Sequence, residues 1–566
     1  MPFTDFYQPG VPAQIELPTD SLVELYETAV AGGGESIALD FFGKTTSYRT
    51  LGEQIGAAAE SLRQLGVQAG DRVALILPNC PAHVIAFYAI IRLGAVVVEH
   101  NPLYTPRELR HLFEDHAAQV AICWDSAVPK LHELPEDIAP ATIIAVNMIE
   151  DFPRRLRLAL KLPLPSIRQR RAKLSGKAAG AIAWHSLIDH RPALSPDHPR
   201  PDVHDLAAIQ YTSGTTGLPK GAMLSHYNLY ANARQGAAWM HGAMDRQEIF
   251  YAVLPMFHSF GMTLFLTYGV LKQATIHLFP TFDVDLVMTA AKRQPPTVFC
   301  AVPPIFEKTA LAARKRHISL KSAKYCISGA MTLPEATVEL WESQSGGLLV
   351  EGYGMTEASP VALGNPFWST RRTGTIGIPF PSTSMKVVDV DDPSIEVEQG
   401  QRGELLLAGP QIFQGYWHNP SESEAALLPG RWLRTGDIVT QDADGFTTIV
   451  DRKKELIITG GFNVAPSEVE QVIKSFPDVA DAAVIGLPDE RVGERVVAAV
   501  VPRAQGNLDL AALRAFCHER LTGYKVPRQF FIRESLPTSM LGKVLRAQVR
   551  SQLEQLSDAT ASDQVG

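Results

Sequence analysis

The sequence predicts an α/β protein: a large N-terminal domain of two α/β sheet subdomains plus a small β-barrel-like subdomain, followed by an α+β C-terminal domain. Three observations point there. With 566 residues, the chain is several times the usual domain length of ~100 to 200 residues, so more than one core is expected. Apolar runs alternate with amphipathic helical patterns in two successive rounds, the rhythm of βα units on a largely parallel sheet. That rhythm changes near Thr373 and again after Arg452.

The first round covers residues 37–120, where the helical pattern LGEQIGAAAESLRQLG precedes the strand-like runs RVALILP and GAVVVEH. The second runs from Ala207 to about Val361. Between Thr373 and Val450, GELLLAGP, DADG and FTTIVD read as short strands and turns. Beyond Arg452 the order is a helix over 466–475, strands at AAVIG and VVAAVVP, a helix over 510–521, a strand at FFIRE and a last helix after Arg546. Residues 557–566 read as a frayed tail.

With 46% apolar and 20% charged residues, and 42 Gly and 40 Pro spread along the chain, global disorder and a collagen-like fold are excluded. Fifty-two basic against 60 acidic residues give a net charge of -8, so no overall basic field argues for nucleic acid. Cys80, Cys123, Cys300, Cys326 and Cys517 lie far apart and form no CxxC, which suits reduced thiols in a cytoplasmic protein better than a disulfide frame or zinc site. The start, MPFTDFYQPG, does not resemble a signal peptide. No apolar run approaches the ~18 residues of a spanning helix, residues 260–271 coming closest before Lys272.

One segment departs from this composition. Residues 153–174, PRRLRLALKLPLPSIRQRRAKL, hold eight basic residues (Arg154, Arg155, Arg157, Lys161, Arg168, Arg170, Arg171, Lys173), no acid, and interleaved leucines. Such a patch on an otherwise acidic chain suits an anionic membrane surface, which would make the protein peripheral on the inner face of a membrane. A solvated insertion whose Arg stems pack on a neighbouring helix is the equal alternative.

The strongest chemical signal is Tyr211-Thr-Ser-Gly-Thr-Thr-Gly-Leu-Pro-Lys220-Gly221, after the strand-like LAAIQ and ahead of a helix that Ser225 can cap. Gly214 and Gly217 permit a tight exposed turn, and the hydroxyls of Thr212, Ser213, Thr215 and Thr216, with loop N–H groups, offer donors to phosphate oxygens. It is a phosphate loop with a cation at Lys220. It is not a Walker A loop, because Pro219-Lys220-Gly221 stands where Gly-Lys-Ser/Thr is required.

Further motifs follow in order: Leu254-Pro-Met-Phe-His258-Ser-Phe-Gly261, Ser328-Gly329-Ala330, Glu351-Gly-Tyr-Gly-Met-Thr356-Glu357, Arg434-Thr-Gly-Asp437, Asp451-Arg452-Lys453-Lys454-Glu455, Gly460-Gly461-Phe-Asn463 and Leu541-Gly542-Lys543. With these, residues 21–552 resemble the adenylate-forming superfamily of acyl-CoA synthetases, luciferases and peptide-synthetase adenylation domains, most closely the bacterial long-chain fatty-acid CoA ligases. The resemblance implies an N-terminal AMP- and acyl-binding domain over residues 1–450 and a hinge over 451–454 with Lys454 at its centre. A mobile domain over 455–552 would carry the catalytic lysine, with a tail from 553 to 566.

It also implies roles. Gly329, Ala330, Glu351, Gly352 and Tyr353 would frame the adenine, Tyr353 by stacking; Asp437 would hold the ribose hydroxyls, with Arg452 near the same sugar. Thr356 would touch phosphate, and Glu357 offers a hard oxygen ligand to Mg²⁺ on ATP. Lys543 would reach the carboxylate and α-phosphate as charge builds during attack. His258 would lie beside the reacting carboxylate and thioester channel, a core imidazole bonded to backbone being the alternative. Gly460 and Gly461 join Gly329 among substrate contacts. Gly354 would leave the acyl channel open where acetate-specific relatives carry Trp, unless it merely relieves backbone strain.

The implied reaction joins a fatty carboxylate to ATP and then to coenzyme A through acyl-AMP. It needs no nucleophilic side chain, because positioning and charge stabilisation suffice. Amino-acid-specific adenylation domains carry Asp where His258 stands, and no carboxylate occurs between Met256 and Leu271. Aromatic-acid ligases carry Lys where Ile458 stands and Gln where Asn463 stands. A medium- to long-chain fatty acid is therefore expected. The alternatives are an aryl or other carboxylic acid CoA ligase, a fatty acyl-AMP ligase serving a carrier protein, and a fatty-acid binding protein without catalysis; a homodimer stays open.

Overall fold

A computed structural model of the chain describes residues 2–562 except 190, 213–218, 453–454, 460–461, 490–491, 504–507, 522 and 540–541. Contacts divide the chain into two units, Met1–Met385 with Leu407–Leu433, and Lys386–Leu406 with Arg434–Gly566. The β-rich segment after Arg434 thus groups with the C-terminal part, whereas the sequence reading carries the N-terminal domain to residue 450.

The first unit holds two large sheets. One has eight strands in the order Gly415–Tyr416, Lys220–Ser225, Leu206–Thr212, Val96–Glu99, Arg72–Ile76, Val120–Trp124, Thr142–Val146 and Ile182–Ala183. From Leu206–Thr212 onward the neighbours are parallel. Val73, Ala74, Leu75 and Ile76 are all fully buried, because both faces are covered, which is why RVALI reads as a continuous apolar run rather than an alternation. The other sheet has nine strands: Ile378–Pro379, Val361–Gly364, Leu348–Gly354, Tyr325–Ser328, Val298–Ala301, Ile249–Ala252, Thr275–Leu278, Ile37–Phe41 and Lys44–Ser47. Behind it Phe299, Phe306 and Trp341 pack with ring centroids 4.7 to 5.4 Å apart.

The two rounds of βα units do not map one to one onto these sheets. Ile37–Phe41, read as the start of the first round, pairs with Thr275–Leu278 of the nine-stranded sheet (Leu39 opposite Ile276). Leu206–Thr212, read as the start of the second, pairs with Val96–Glu99 in the other sheet. Periodicity identifies a strand, but its partner is chosen by contacts far away in sequence.

Strands Gly403–Ala408, Trp432–Gln441 and Thr447–Arg452, which fall for most of their length in the second unit, belong to one five-stranded sheet, and a separate five-stranded sheet follows in sequence. That sheet runs Phe462–Val464, Ile457–Thr459, Gly493–Pro502 and Val479–Asp489, with Gln529–Ile532 parallel to Gly493–Pro502. Val496, Ala498 and Val500 meet helices Pro466–Lys474 and Leu510–Arg520 on one face, while Val497 and Ala499 meet helix Arg546–Ser562 on the other. The three helices and the strands at 479–489, 493–502 and 529–532 lie where the sequence places them, while strands Ile457–Thr459 and Phe462–Val464 are additional to that reading. The last helix continues through Ser557 to Ser562, so the expected tail begins later than read.

Residues 153–174 form two short helices, Arg154–Ala159 and Pro165–Leu174, with no buried residue in either. Leu156, Leu158, Leu162 and Leu164 are 40 to 65% exposed. Among the described residues, no ion pair links the eight cations to an acid. The segment is tied down at its end: Trp124 Nε1 donates to Leu174 O (3.0 Å), and Asp125 accepts from Ser175 Oγ (2.6 Å) and Gly176 N (2.8 Å). Among the described residues no helix is long and apolar enough to cross a membrane. All five cysteines are free and buried, and burial raises each thiol pKa, Cys517 to about 11.

Candidate active site

Strand Leu206–Thr212 and strand Lys220–Ser225 form an antiparallel hairpin in which Thr212 faces Lys220. The phosphate motif spans the link between these two strands, and its Ser213, Gly214, Thr215, Thr216 and Gly217 lie outside the described residues. Ser225 caps helix His226–Trp239 as expected, its Oγ accepting from Asn228 N (3.1 Å). An entire strand separates this cap from the loop, so the helix does not begin at the phosphate motif. Glycine-rich sequences occur between two strands as well as between a strand and a helix, and residue spacing alone does not separate the two.

Beside the hairpin, the first unit gathers polar groups from distant segments. The Lys220 side chain, 10% exposed, pairs with Glu422, and its Nζ lies 5.3 Å from the Tyr416 ring centre. Tyr416 OH donates to Glu357 Oε1 (2.8 Å), and burial followed by the charge of Glu357 pushes the Tyr416 hydroxyl well above its ordinary pKa. Glu357 is buried in the short turn Thr356–Ala358, and its carbonyl accepts from Phe413 N (2.9 Å). Thr356 Oγ1 lies 3.3 Å from Ser259 Oγ, which joins the Thr-Glu motif to the His258 segment. Tyr416 and Glu422 escape the sequence reading, and Ser259 stands in the His258 motif without a role of its own; Gly415-Tyr-Trp-His-Asn-Pro420 carries aromatic and turn residues but no chemistry of its own.

His258 is half-buried and caps the short helix Ser259–Gly261, its Nδ1 accepting from Phe260 N (3.3 Å). Desolvation pushes its imidazole down to about 4, so the ring is neutral near pH 7. The loop carrying it is clamped by buried Asn79, whose Nδ2 donates to Ala252 O (2.8 Å) and Leu254 O (2.7 Å) while Oδ1 accepts from Met256 N (2.8 Å). The next residues, Met262–Tyr268, form a π-helix with every residue buried, a wound segment of the kind often found at functional sites.

The expected adenine frame starts where parallel strands Tyr325–Ser328 and Leu348–Gly354 end, with Ser328 opposite Glu351. Gly329 N donates to Ala301 O (3.3 Å), a Cβ on Gly329 would come within 2.9 Å of the Phe260 ring, and Ala330 is left-handed (φ 65°). Gly352 and Tyr353 continue the strand, with Tyr353 buried. The Glu351 carboxylate accepts from Gly374 N (2.8 Å) and Asn365 Nδ2 (3.1 Å), and burial raises its pKa. Its side chain therefore braces the surrounding loop. A Cβ on Gly354 would meet Pro360 O at 1.9 Å, so a backbone contact accounts for glycine at this position.

In the second unit, Asp437 is buried and stands opposite Arg452 in the antiparallel ladder. Asp451 Oδ2 accepts from Ser467 N (2.9 Å) and Oγ (3.0 Å) at the start of helix Pro466–Lys474. Lys543 sits in a tight turn: Ser539 N donates to Lys543 O (2.7 Å), Lys543 N to Ser539 Oγ (3.1 Å), and Gly542 has φ 80°. Arg546 pairs bidentately with Glu470 (2.9 and 2.7 Å) and also with Glu455, anchoring the helix that follows Lys543. Lys454, Gly460 and Gly461 lie outside the described residues.

The chain is 34% identical to a long-chain-fatty-acid–CoA ligase of Bacillus subtilis over 547 residues, 96% of this chain and 97% of that one. Its structure resembles ATP-bound MatB from Rhodopseudomonas palustris (TM-score 0.78, 27% identity, covering 94% of this chain and 99% of that one). It also resembles the anthranilate CoA ligase AuaEII in complex with anthranoyl-AMP (TM-score 0.81, 25% identity, covering 96% and 99%). Residues 468–543 match the AMP-binding enzyme C-terminal domain. Residues 26–417, more than half of the chain, match the AMP-binding enzyme family itself, and this protein belongs to that family.

Proposed function

We propose that the chain is an AMP-forming acid–thiol ligase that converts a medium- to long-chain fatty acid, ATP and CoA into acyl-CoA, AMP and pyrophosphate. The observation that carries this reading is the convergence of Lys220, Tyr416 and buried Glu357 beside the phosphate hairpin, in a chain of the AMP-binding enzyme family. In the first step a carboxylate oxygen bonds to the α-phosphorus and the bond to pyrophosphate breaks. In the second, the CoA sulfur bonds to the acyl carbon, AMP leaves, and the thiol proton passes to solvent.

The residues act through position and charge. Lys220, Thr212 and Thr356, with Ser213, Gly214, Thr215, Thr216 and Gly217 of the loop, serve the phosphates; neutral His258 faces the acid; Asp437 and Arg452 serve the ribose; Lys543 meets charge developing at the α-phosphate. Mg²⁺ fits Glu357. A single buried carboxylate, with no group of three or more metal-ligating side chains among the described residues, suits a cation that arrives on ATP and keeps few protein ligands; once bound it would neutralise phosphate charge. Residues 451–454 are the hinge in this reading, with Lys454 turning the C-terminal domain between the two steps.

The fatty-acid assignment draws on the name of the Bacillus subtilis relative, while the anthranoyl-AMP complex keeps an aryl acid as the second reading. The exposed basic helices of residues 154–173 suit an anionic bilayer surface, where long-chain acids partition. Purified protein with ATP, Mg²⁺ and a panel of carboxylates, scored for pyrophosphate with and without CoA, tests the assignment. Long-chain acids should give pyrophosphate and thioester. Pyrophosphate without thioester would favour a carrier-protein acceptor, preference for benzoates the aryl reading, and neither product would overturn the enzyme assignment.

A further inference from the structure

Glu422 belongs to none of the recognised motifs, yet it occupies the phosphate-loop cation. Lys220 stands at the foot of the hairpin, its ammonium largely enclosed between the Glu422 carboxylate and the Tyr416 ring. Tyr416 also donates to Glu357, so one short segment engages both the cation and the carboxylate that the proposed function gives to ATP. The segment is held in place. Gly415 and Tyr416 pair with Met223 and Ala222, Asn419 Oδ1 accepts from Glu422 N (3.3 Å), and Ser423 Oγ accepts from Tyr416 N (2.8 Å) and donates to Asn419 O (2.7 Å).

We propose that Glu422 is a stand-in anion for the nucleotide phosphate at Lys220, setting the affinity for ATP. An ammonium enclosed to this degree is costly without a counter-charge, and the carboxylate supplies one while phosphate is away. An arriving phosphate then either displaces Glu422, losing that ion pair, or lies beside it and meets like charge. Both routes weaken ATP binding, so removing the carboxylate should strengthen it. As pyrophosphate leaves, the carboxylate recaptures Lys220, which favours release. This inference rests on the reading of Lys220 as a phosphate ligand.

The test is calorimetric titration of the full-length protein with MgATP, comparing wild type, Glu422→Gln, Glu422→Asp and Lys220→Met, and the double variant. Glu422→Gln should bind about 5-fold or more tightly, the low end of ordinary coupling between sites, and Glu422→Asp should stay near wild type. The tightening should vanish in the Lys220→Met background, which a loss of general packing would not produce. If Lys220→Met weakens MgATP binding while Glu422→Gln leaves it unchanged or weaker, the stand-in role is overturned and the phosphate role of Lys220 survives. If Lys220→Met itself leaves binding unaltered, the reading of Lys220 fails and the inference falls with it. Circular dichroism of each variant identifies any that does not fold, and if Glu422→Gln is such a variant, Glu422→Ala carries the comparison with the same expected tightening.

Discussion

Replacing Gly354 by alanine separates two reasons for glycine in the Gly-Tyr-Gly-Met-Thr-Glu motif. A Cβ built at residue 354 falls 1.9 Å from Pro360 O and 2.6 Å from Pro360 C. Relief requires a backbone shift of roughly 1 Å or more, since no side-chain rotamer can absorb the overlap. The backbone it would push is held on several sides: Met355 N donates to Pro360 O (3.0 Å), Thr263 Oγ1 to Ser359 O (2.6 Å), Asn232 Nδ2 to Val361 O (2.7 Å) and Val361 N to Asn232 Oδ1 (3.2 Å). We expect a loss of about 2 to 3 kcal/mol, the upper part of the usual range for overpacking. Urea unfolding followed by tryptophan fluorescence would measure it. Because Thr356 and Glu357 follow directly, activity should fall together for acids of every chain length. Alanine is too small to plug an acyl channel, whereas a Gly354→Trp variant would combine the clash with the plug and report on neither alone. Wild-type stability in Gly354→Ala, or a changed length preference with unchanged stability, would refute the reasoning.

Four further outcomes follow from the same geometry. Lys543→Ala should lower acyl-AMP synthesis by ~10²- to 10³-fold yet leave conversion of supplied acyl-AMP and CoA largely intact; equal loss of both half-reactions would contradict the division of labour. Lys454→Pro fixes φ near about -65° and should slow thioester formation more than adenylation, an unchanged ratio of the two rates placing the hinge elsewhere. The His258 pKa, held near 4 by burial and below the ordinary 6.5, means that the folded state favours the neutral ring. That preference is fully present above pH 6.5 and is lost as pH falls toward 4, so an NMR titration of the ring should show a midpoint near 4, and one near 6.5 would refute its burial. Replacing Arg154, Arg155, Arg157, Arg168, Arg170 and Arg171 by Gln should abolish sedimentation with anionic liposomes, at ~1 kcal/mol per basic residue near the surface, and salt-insensitive binding by the wild type would count against the electrostatic account.

The element types after Arg452 were legible because their periods are local. VVAAVVP alternates between two covered faces, and helices Pro466–Lys474 and Leu510–Arg520 carry apolar stripes such as Val469 and Ile473 that meet one of them. Motif order identifies the family for a similar reason: chemistry on a nucleotide demands particular side chains in runs a few residues long. The exposure of residues 153–174 is one of two outcomes their composition allows: eight cations without an acid resist burial, whereas the interleaved leucines suit packing on a neighbouring element equally well.

What the chain itself determines is therefore the inventory of strands, helices and reactive groups, because local steric preference and hydrophobic period act over a few residues. Tertiary structure alone decides which groups become neighbours. It moves Ile37–Phe41 into the nine-stranded sheet, makes Lys220–Ser225 a strand between the phosphate motif and the helix capped by Ser225, and turns Glu351 toward Gly374 and Asn365. It brings Tyr416 and Glu422 from roughly two hundred residues downstream onto Lys220. Strand pairing and the packing of buried polar groups are settled by contacts between distant segments, and no window of sequence contains both partners of such a contact.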